Sequence, residues 1–157
     1  MRIGFGFDVH QLAEGREFWL GGVLIPSSFG PLGHSDADVL IHAICDALLG
    51  AANLGDIGYH FPDTASEFKN IDSKILLRKV VALIHEAGFK IGNIDSTVTL
   101  ERPKINPHVG KMKETLAEVM GISSSLISIK ATTNEKMGYV GRGEGICAQA
   151  VVLLLPN

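Results

Sequence analysis

The sequence has few cysteines, no cluster of basic residues and no long apolar run. Its two cysteines, Cys45 and Cys147, lie far apart in apolar contexts. They predict buried thiols in a reducing compartment and exclude a disulfide framework or a Cys-x-x-Cys site. The formal net charge is −3 and the lysines and arginines are scattered, which argues against nucleic acid or an anionic membrane as a partner. No apolar segment approaches the roughly 20 residues that span a bilayer, so we expect a soluble, cytoplasmic protein.

The length and apolar content are those of one domain. The chain has 157 residues, of which 46% are hydrophobic, and a domain of this size buries about 70% of the surface of its unfolded chain. No repeat, low-complexity segment or linker interrupts it. Residues 1–157 are therefore predicted to form a single domain.

Hydrophobic periodicity predicts strands interleaved with three helices. The helices are predicted from Ser35 or Asp36 to about Asn53, from Asp72 to Ala87, and from Asn106-Pro107 to Gly121. The strands are predicted at residues 4–10, in a hairpin turning at Gly21-Gly22, and at Ile94–Leu100, Ile127–Ala131 and Ile146–Leu155. The glycine-rich segment 54–63 is predicted to be irregular. This order predicts an α/β (α+β) domain with a mixed four-stranded sheet, helices on one face and a small N-terminal hairpin.

A candidate metal site consists of Asp8, His10 and His42. Alternate side chains of a strand share one face, so Asp8 and His10 are predicted to point the same way. On the first helix, Asp38, His42 and Asp46 recur every four residues and form a polar stripe. His42 is either a hydrogen-bonded core histidine or a third metal ligand. Three protein ligands would leave one tetrahedral position open, as in a catalytic zinc site.

A second candidate site lies in the segment Thr132–Lys136 and the glycine-rich residues 138–145. Threonine hydroxyls and backbone N–H groups can bind phosphoryl oxygens, and Glu135 can hold a hard divalent cation. A plain glycine-rich turn is the alternative interpretation. Asp56 and Asp63 are likewise either contacts to a polyol or formers of Asx turns.

Several separated motifs, in order and over essentially the full length, carry a family resemblance. They are Gly-Phe-Asp-Val-His at 6–10, His-Ser-Asp-Ala-Asp-Val at 34–39, Gly-Asp-Ile-Gly at 55–58, Phe-Pro-Asp at 61–63, Arg-Pro-Lys at 102–104, Lys-Ala-Thr-Thr at 130–133 and Gly-Arg-Gly-Glu-Gly at 141–145. With these motifs and His42, the chain closely resembles the 2-C-methyl-D-erythritol 2,4-cyclodiphosphate synthases, the cyclising enzymes of the non-mevalonate isoprenoid pathway.

The resemblance implies a phosphorus–oxygen lyase that releases CMP. The 2-phosphate of 4-diphosphocytidyl-2-C-methyl-D-erythritol 2-phosphate attacks the β-phosphate and closes the cyclic diphosphate. The resemblance further implies zinc on Asp8, His10 and His42, and magnesium or manganese on Glu135. His34 and Thr133 carry over as catalytic groups that stabilise charge at phosphorus.

The resemblance also implies a set of substrate contacts. They are Ser35, Asp56, Ile57, Gly58, Phe61, Pro62, Asp63, Leu100, Pro103, Lys104, Ile105, Asn106, Thr132, Asn134, Tyr139 and Arg142. The methylerythritol part is expected against Asp56, Gly58 and Asp63, and cytosine against residues 100–106. Leu100 and Tyr139 depart from the family pattern, which often has a small residue and a phenylalanine there.

Assembly is predicted from the last strand. Ile146–Leu155 is apolar nearly throughout, which requires burial on both faces of the sheet, whereas helices on one face cover only one. The resemblance implies a homotrimer with active sites shared between chains. Arg142 and Glu144 would then meet near the three-fold axis, either as an ion-pair network or as a site for an isoprenoid diphosphate.

Two other classes of function compete with this one. A non-catalytic binding or sensor protein would keep the metal but would have no need of Thr133, Glu135 and Asp63. A zinc-dependent phosphohydrolase would use the metal to activate water. The hydrolase is disfavoured because no general base stands out beyond the metal ligands.

Overall fold

The structure, a computed structural model, describes residues 1–62, 68 and 70–157. The helices within them are Val39–Ala52 (α1), Ile57–His60 (α2), Ser73–Glu86 (α3), Val109–Met120 (α4) and Gly138–Gly141 (α5). The strands are Arg2–Glu14 (β1), Phe18–Leu20 (β2), Val23–Ile25 (β3), Phe29–Leu32 (β4), Phe89–Thr99 (β5), Ile127–Thr132 (β6) and Gly145–Pro156 (β7). The three long helices and the last strands lie where periodicity predicted them.

A mixed sheet in the order β4-β1-β7-β5-β6 forms the centre of the fold. Strands β5 and β6 are parallel and the other neighbours are antiparallel, while β2 and β3 form a separate hairpin. This confirms the α/β class and the hairpin. The sheet has five strands where four were predicted, because Phe29–Leu32 pairs with the end of β1. Gly30-Pro31 suggested a loop, but proline is tolerated in β4 because β4 is an edge strand.

Two local predictions are corrected by the observed helix caps. The N-cap of α1 is Asp38, whose side chain accepts a hydrogen bond from the backbone N–H of Ile41, and not Ser35 or Asp36. The segment after α1 contains the single-turn helix α2, although its glycines predicted irregular structure. Asp56 is the N-cap of that helix and accepts from the N–H of Tyr59 at 2.9 Å. A helix of one turn is too short for a periodic signal, so its cap at Asp56 was the only local feature that could have predicted it.

Close packing of α1 on β1 brings the candidate metal ligands together. A Cβ atom on Gly6 would lie 1.9 Å from the backbone oxygen of Ala43, so only glycine permits this approach. The next side chains on the same face of β1, Asp8 and His10, therefore meet α1 at the turn that carries His42.

We expect Gly6→Ala to destabilise the fold strongly, because the new methyl group would collide with backbone atoms that cannot rotate away. Overpacking costs about 3 kcal/mol or more in such a contact. For a chain of this size, that lowers the midpoint of thermal unfolding by about 6–12 °C. Gly110→Ala in α4 is the matched control, since a Cβ there meets nothing within 4 Å. Equal midpoints for the two variants would contradict the close approach of α1 to β1.

One face of the sheet is covered by helices and the other is open. In β7, alternate residues from Ile146 to Leu154 are buried on the covered side, while Val151 on the other side is 45% exposed. Large apolar side chains of β1 lie on the same open face, namely Ile3 (73% exposed), Phe5 (63%), Phe7 (45%) and Val9 (43%). Burial of β7 on both faces therefore needs a partner beyond this chain.

Both cysteines are buried and have free thiols, as predicted. Among the described residues, none of the helices combines the length and the apolar character needed to cross a bilayer.

Candidate active site

The structure brings Asp8, His10 and His42 into one cluster. The Oδ2 atom of Asp8 lies 2.9 Å from Nε2 of His10 and 2.9 Å from Nδ1 of His42. The two ring nitrogens are 3.2 Å apart. Within the described residues, this is the cluster whose donor atoms are close enough to bind one metal ion. The metal-ligand interpretation of His42 is therefore favoured over a core histidine.

The ring nitrogens that face away from the cluster have their own partners. Nδ1 of His10 donates to the carbonyl oxygen of Leu32 at 3.0 Å, because a carbonyl oxygen can only accept, so Nε2 is the nitrogen left for Asp8 or for a metal ion. Nε2 of His42 lies 3.1 Å from the hydroxyl of Ser35 and 3.0 Å from that of Ser73.

The hydroxyl of Ser73 in turn donates to the carboxylate of Asp36. With its own proton directed at Asp36, Ser73 is free to accept one from Nε2 of His42. Such outer partners orient metal-binding histidines. The sequence analysis missed Ser73, because no local pattern links it to a histidine 31 positions earlier.

Charge in the cluster favours a bound cation. Burial by itself raises the pKa of Asp8, but hydrogen bonds and charges from His10 and His42 outweigh it and hold the pKa at about 2. Burial lowers the pKa of His10, and the carboxylate of Asp8 more than reverses this, so the pKa is raised. Asp8 is therefore anionic at neutral pH, and a metal ion entering the cluster competes with protons for His10.

The other two members of the predicted polar stripe on α1 have structural roles. The buried carboxylate of Asp38 accepts hydrogen bonds from the N–H groups of Gly21 and Gly22 at 2.9 and 2.7 Å, which attaches the β2–β3 hairpin to the start of α1. Asp46 accepts from the N–H of Ile57 at 2.8 Å and so holds α2 beside the metal cluster. Burial raises the pKa of Asp46.

The metal cluster lies in a cavity of about 500 Å³ that also contains most of the nearby predicted substrate residues. Its lining comprises Asp8, His10, His34, Ser35, His42, Ile57, Gly58, Phe61, Pro62, Phe68, Ile71 and Leu76. Asp56 is not in this lining and caps α2. Asp63 lies outside the described residues.

A second cavity, of about 250 Å³, joins the 100–106 segment to the end of β6. It is lined by Leu100, Glu101, Pro103, Lys104, Ile105, Asn106, Ala131, Thr132 and Thr133. Beyond it, the hydroxyl of Thr133 donates to the carboxylate of Glu135 at 3.0 Å. The predicted base-binding and phosphate-binding segments are therefore neighbours, with Asn134 and Glu135 just outside the cavity.

Two predicted residues lie elsewhere on the chain. Tyr139 lines a third cavity together with Val9, His10 and Glu144. Arg142 donates to both carboxylate oxygens of Glu144, at 2.8 and 3.1 Å, so the predicted ion pair forms within a single chain.

On one chain, the metal cluster and the phosphate segment are far apart. Asp8 pairs with Ala148, Ala148 with Val98, and Val98 with Ala131. Asp8 and Ala131 therefore occupy one row of the sheet, separated by three strand spacings or about 14 Å. The two halves of the predicted site do not meet within this chain.

Fold and cluster together define an α/β domain with a candidate metal site in the lining of a cavity. The sequence model of the YgbB family matches residues 1–155. The protein named 2-C-methyl-D-erythritol 2,4-cyclodiphosphate synthase in Parabacteroides distasonis is 67% identical over 98% of this chain and 96% of its own length. The protein of that name in Porphyromonas gingivalis is 60% identical over 98% of this chain and 95% of its own. The chain therefore belongs to the YgbB family of 2-C-methyl-D-erythritol 2,4-cyclodiphosphate synthases.

Solved structures of similar proteins agree with this assignment. A 2C-methyl-D-erythritol-2,4-cyclodiphosphate synthase bound to CDP has a TM-score of 0.90 and 40% identity, over 98% of this chain and 100% of that one. A CDP complex of IspF from Plasmodium falciparum has a TM-score of 0.87 and 36% identity, over 99% and 96%. The bifunctional IspDF of Campylobacter jejuni has a TM-score of 0.96 and 42% identity, and this chain spans 42% of its length.

Proposed function

We propose that this protein converts 4-diphosphocytidyl-2-C-methyl-D-erythritol 2-phosphate into 2-C-methyl-D-erythritol 2,4-cyclodiphosphate and CMP, for isoprenoid precursor synthesis in the cytoplasm. The observation that carries the proposal is the Asp8–His10–His42 cluster, which lies in an open cavity rather than in a closed core. Family membership supplies the substrate and the reaction. The site must bind the diphosphate of the substrate and hold the 2-phosphate of the same molecule next to the β-phosphate.

The metal cluster fits zinc. Two imidazoles and one carboxylate are a common donor set for catalytic zinc, and donors about 2.0–2.1 Å from a tetrahedral ion are about 3.3 Å from one another. The observed separations of 2.9, 2.9 and 3.2 Å are close to this value. A zinc ion held here would supply Lewis-acid polarisation of the β-phosphate.

Glu135 fits a magnesium or manganese ion shared with the substrate. Magnesium is usually held by one or two carboxylates together with substrate phosphates, and Glu135 offers a single exposed carboxylate beside Thr133. Such an ion would neutralise charge on the departing CMP.

The remaining residues of the proposed site bind and orient the substrate. His34, in the metal cavity, donates a hydrogen bond to phosphoryl oxygens as charge develops at phosphorus, and the hydroxyl of Thr133 does the same by turning from Glu135 to the substrate. Because the nucleophile is a phosphate dianion, no residue has to remove a proton from it. The methylerythritol part contacts the cavity wall around Gly58, and cytosine occupies the cavity lined by Pro103 and Lys104.

A homotrimer would complete the active site. The metal cluster and the phosphate segment of one chain lie about 14 Å apart across the sheet, and the open sheet face is apolar. Packing the open faces around a three-fold axis buries this surface and sets the metal cluster of one chain against the phosphate segment of its neighbour. Each active site is then built from two chains.

The trimer axis is proposed near Arg142 and Glu144. Their bidentate pair supports the ion-pair network, because each guanidinium already has an anionic partner. Binding of an isoprenoid diphosphate to the axis stays a prediction, and native mass spectrometry with farnesyl diphosphate tests it.

Labelled water distinguishes cyclisation from hydrolysis. In a single turnover of the cytidyl substrate in H₂¹⁸O, we expect cyclic diphosphate and CMP, neither of which contains ¹⁸O. The reason is that the bond from the 2-phosphate oxygen to the β-phosphorus forms as the bond between the β-phosphorus and the CMP oxygen breaks. A reaction treated with a chelator is the control. An acyclic 2,4-bisphosphate, with ¹⁸O either in it or in the CMP, would establish the metal-activated hydrolase instead.

A further inference from the structure

The carboxylate of Glu101 holds the loop that carries Glu135. One oxygen of Glu101, Oε1, accepts hydrogen bonds from the backbone N–H groups of Asn134 at 2.9 Å and Lys136 at 3.2 Å. Glu101 belongs to the wall of the second cavity, where cytosine is proposed to bind. A single side chain thus connects the base cavity with both neighbours of Glu135.

The loop at residues 134–136 has a backbone conformation that is strained for residues with side chains. Glu135 and Lys136 have φ angles of 51° and 62°, in the left-handed region that is unfavourable for residues with side chains. A Cβ on Gly141 would lie 2.6 Å from Cα of Lys136, so the chain also runs close behind this loop. Hydrogen bonds from backbone N–H groups to a carboxylate are charge-assisted and offset such strain.

A backbone hydrogen bond fixes the residues just before the loop, but it does not reach residues 134–136 themselves. The N–H of Leu100 donates to the carbonyl of Thr132 at 3.0 Å, which sets the ends of β5 and β6 side by side. Beyond Thr132, Glu101 connects the loop to the 100–106 segment. The position of the Glu135 carboxylate relative to the base cavity therefore depends on the reach of the Glu101 side chain.

We propose that Glu101 is a positioning residue that couples the base cavity to the cation site of Glu135. The inference rests on the proposed function, since it concerns a cytidine diphosphate and a divalent cation bound together. With Glu101 in place, the carboxylate of Glu135 is aligned with the diphosphate of a nucleotide whose base occupies the second cavity. Each of the two ligands then strengthens binding of the other, which is a coupling free energy between adjacent sites.

Calorimetric titration of the zinc-loaded protein with CDP, without and with Mn²⁺, measures this coupling. In the wild-type protein, we expect Mn²⁺ to tighten CDP binding by about 10-fold or more, the scale of one hydrogen bond to a charged group. In Glu101→Ala, we expect the gain from Mn²⁺ to fall below about 3-fold because the loop is released. Binding of CDP without Mn²⁺ should change much less, and the zinc content should not change. Glu118→Ala, an exposed glutamate of α4, is the matched control.

Two further variants separate reach from charge and do not depend on the alanine variant being folded. Glu101→Gln keeps an acceptor oxygen at the same reach but removes the charge, so it should retain part of the coupling and more of it than Glu101→Ala. Glu101→Asp keeps the charge but shortens the side chain by one methylene, and should lose most of it. If Glu101→Asp kept the coupling while Glu101→Gln lost it, or if all variants behaved like wild type, the inference would be overturned.

The titration, together with the single-turnover assay for CMP release, distinguishes failure of this inference from failure of the proposed function. A wild-type protein that binds CDP and releases CMP, with unchanged coupling in the variants, overturns only the role of Glu101. A wild-type protein that neither binds CDP nor releases CMP overturns both.

Discussion

Replacement of His42 by alanine is expected to remove the metal ion and abolish release of CMP. Elemental analysis should find about one zinc per chain in the wild-type protein and almost none in the variant, because Asp8 and His10 alone offer only two ligands. Loss of a Lewis acid that contributes several kcal/mol should lower the single-turnover rate by at least about 1,000-fold. The circular dichroism spectrum should remain close to that of the wild type, since the strands and helices do not depend on this side chain.

A second histidine, outside the metal cluster, serves as the control for this variant. His85 is exposed on α3 and His85→Ala should keep both zinc and activity. Normal turnover by His42→Ala would show that the cluster is not the catalytic metal site, and fully active wild-type protein without zinc would show that zinc is not the metal required.

Replacement of Phe5 by glutamate is expected to dissociate the assembly and, with it, the activity. Phe5 is 63% exposed on one chain. It is the cross-strand neighbour of Val151 on the open face of the sheet. The proposed trimer buries the open face against neighbouring chains, so the variant would bury an unpaired carboxylate at each interface. Sedimentation should give a mass near 16.8 kDa per particle rather than about three times that value.

Activity should fall together with the mass, by at least about 100-fold, because the proposed active site combines the metal cluster of one chain with the phosphate segment of another. Leu24→Glu, which alters a 46% exposed leucine of the β2–β3 hairpin, is the control and should leave mass and activity unchanged. A fully active monomer of Phe5→Glu would contradict the shared site.

Local patterns were sufficient for much of this fold. The caps at Asp72 and Gly121 and the Gly21-Gly22 turn act within a few residues, so their physical consequences are contained in short segments. Alternation along a strand placed Asp8 and His10 on one face, and helical periodicity placed His42 on α1. The fifth strand was not predictable in this way, because Phe29–Leu32 is stabilised by pairing with residues of β1 that lie 15 to 21 positions earlier.

The sequence by itself determined which side chains are available for metal and phosphate chemistry, whereas the tertiary structure decided which of them act together. Asp38 and Asp46 share the helix stripe of His42, yet one holds a hairpin and the other a short helix. Ser73 contacts His42 across 31 residues, and Glu101 contacts Asn134 across 33. No periodicity spans such separations, because these contacts form only when helices and strands pack against one another and long loops close.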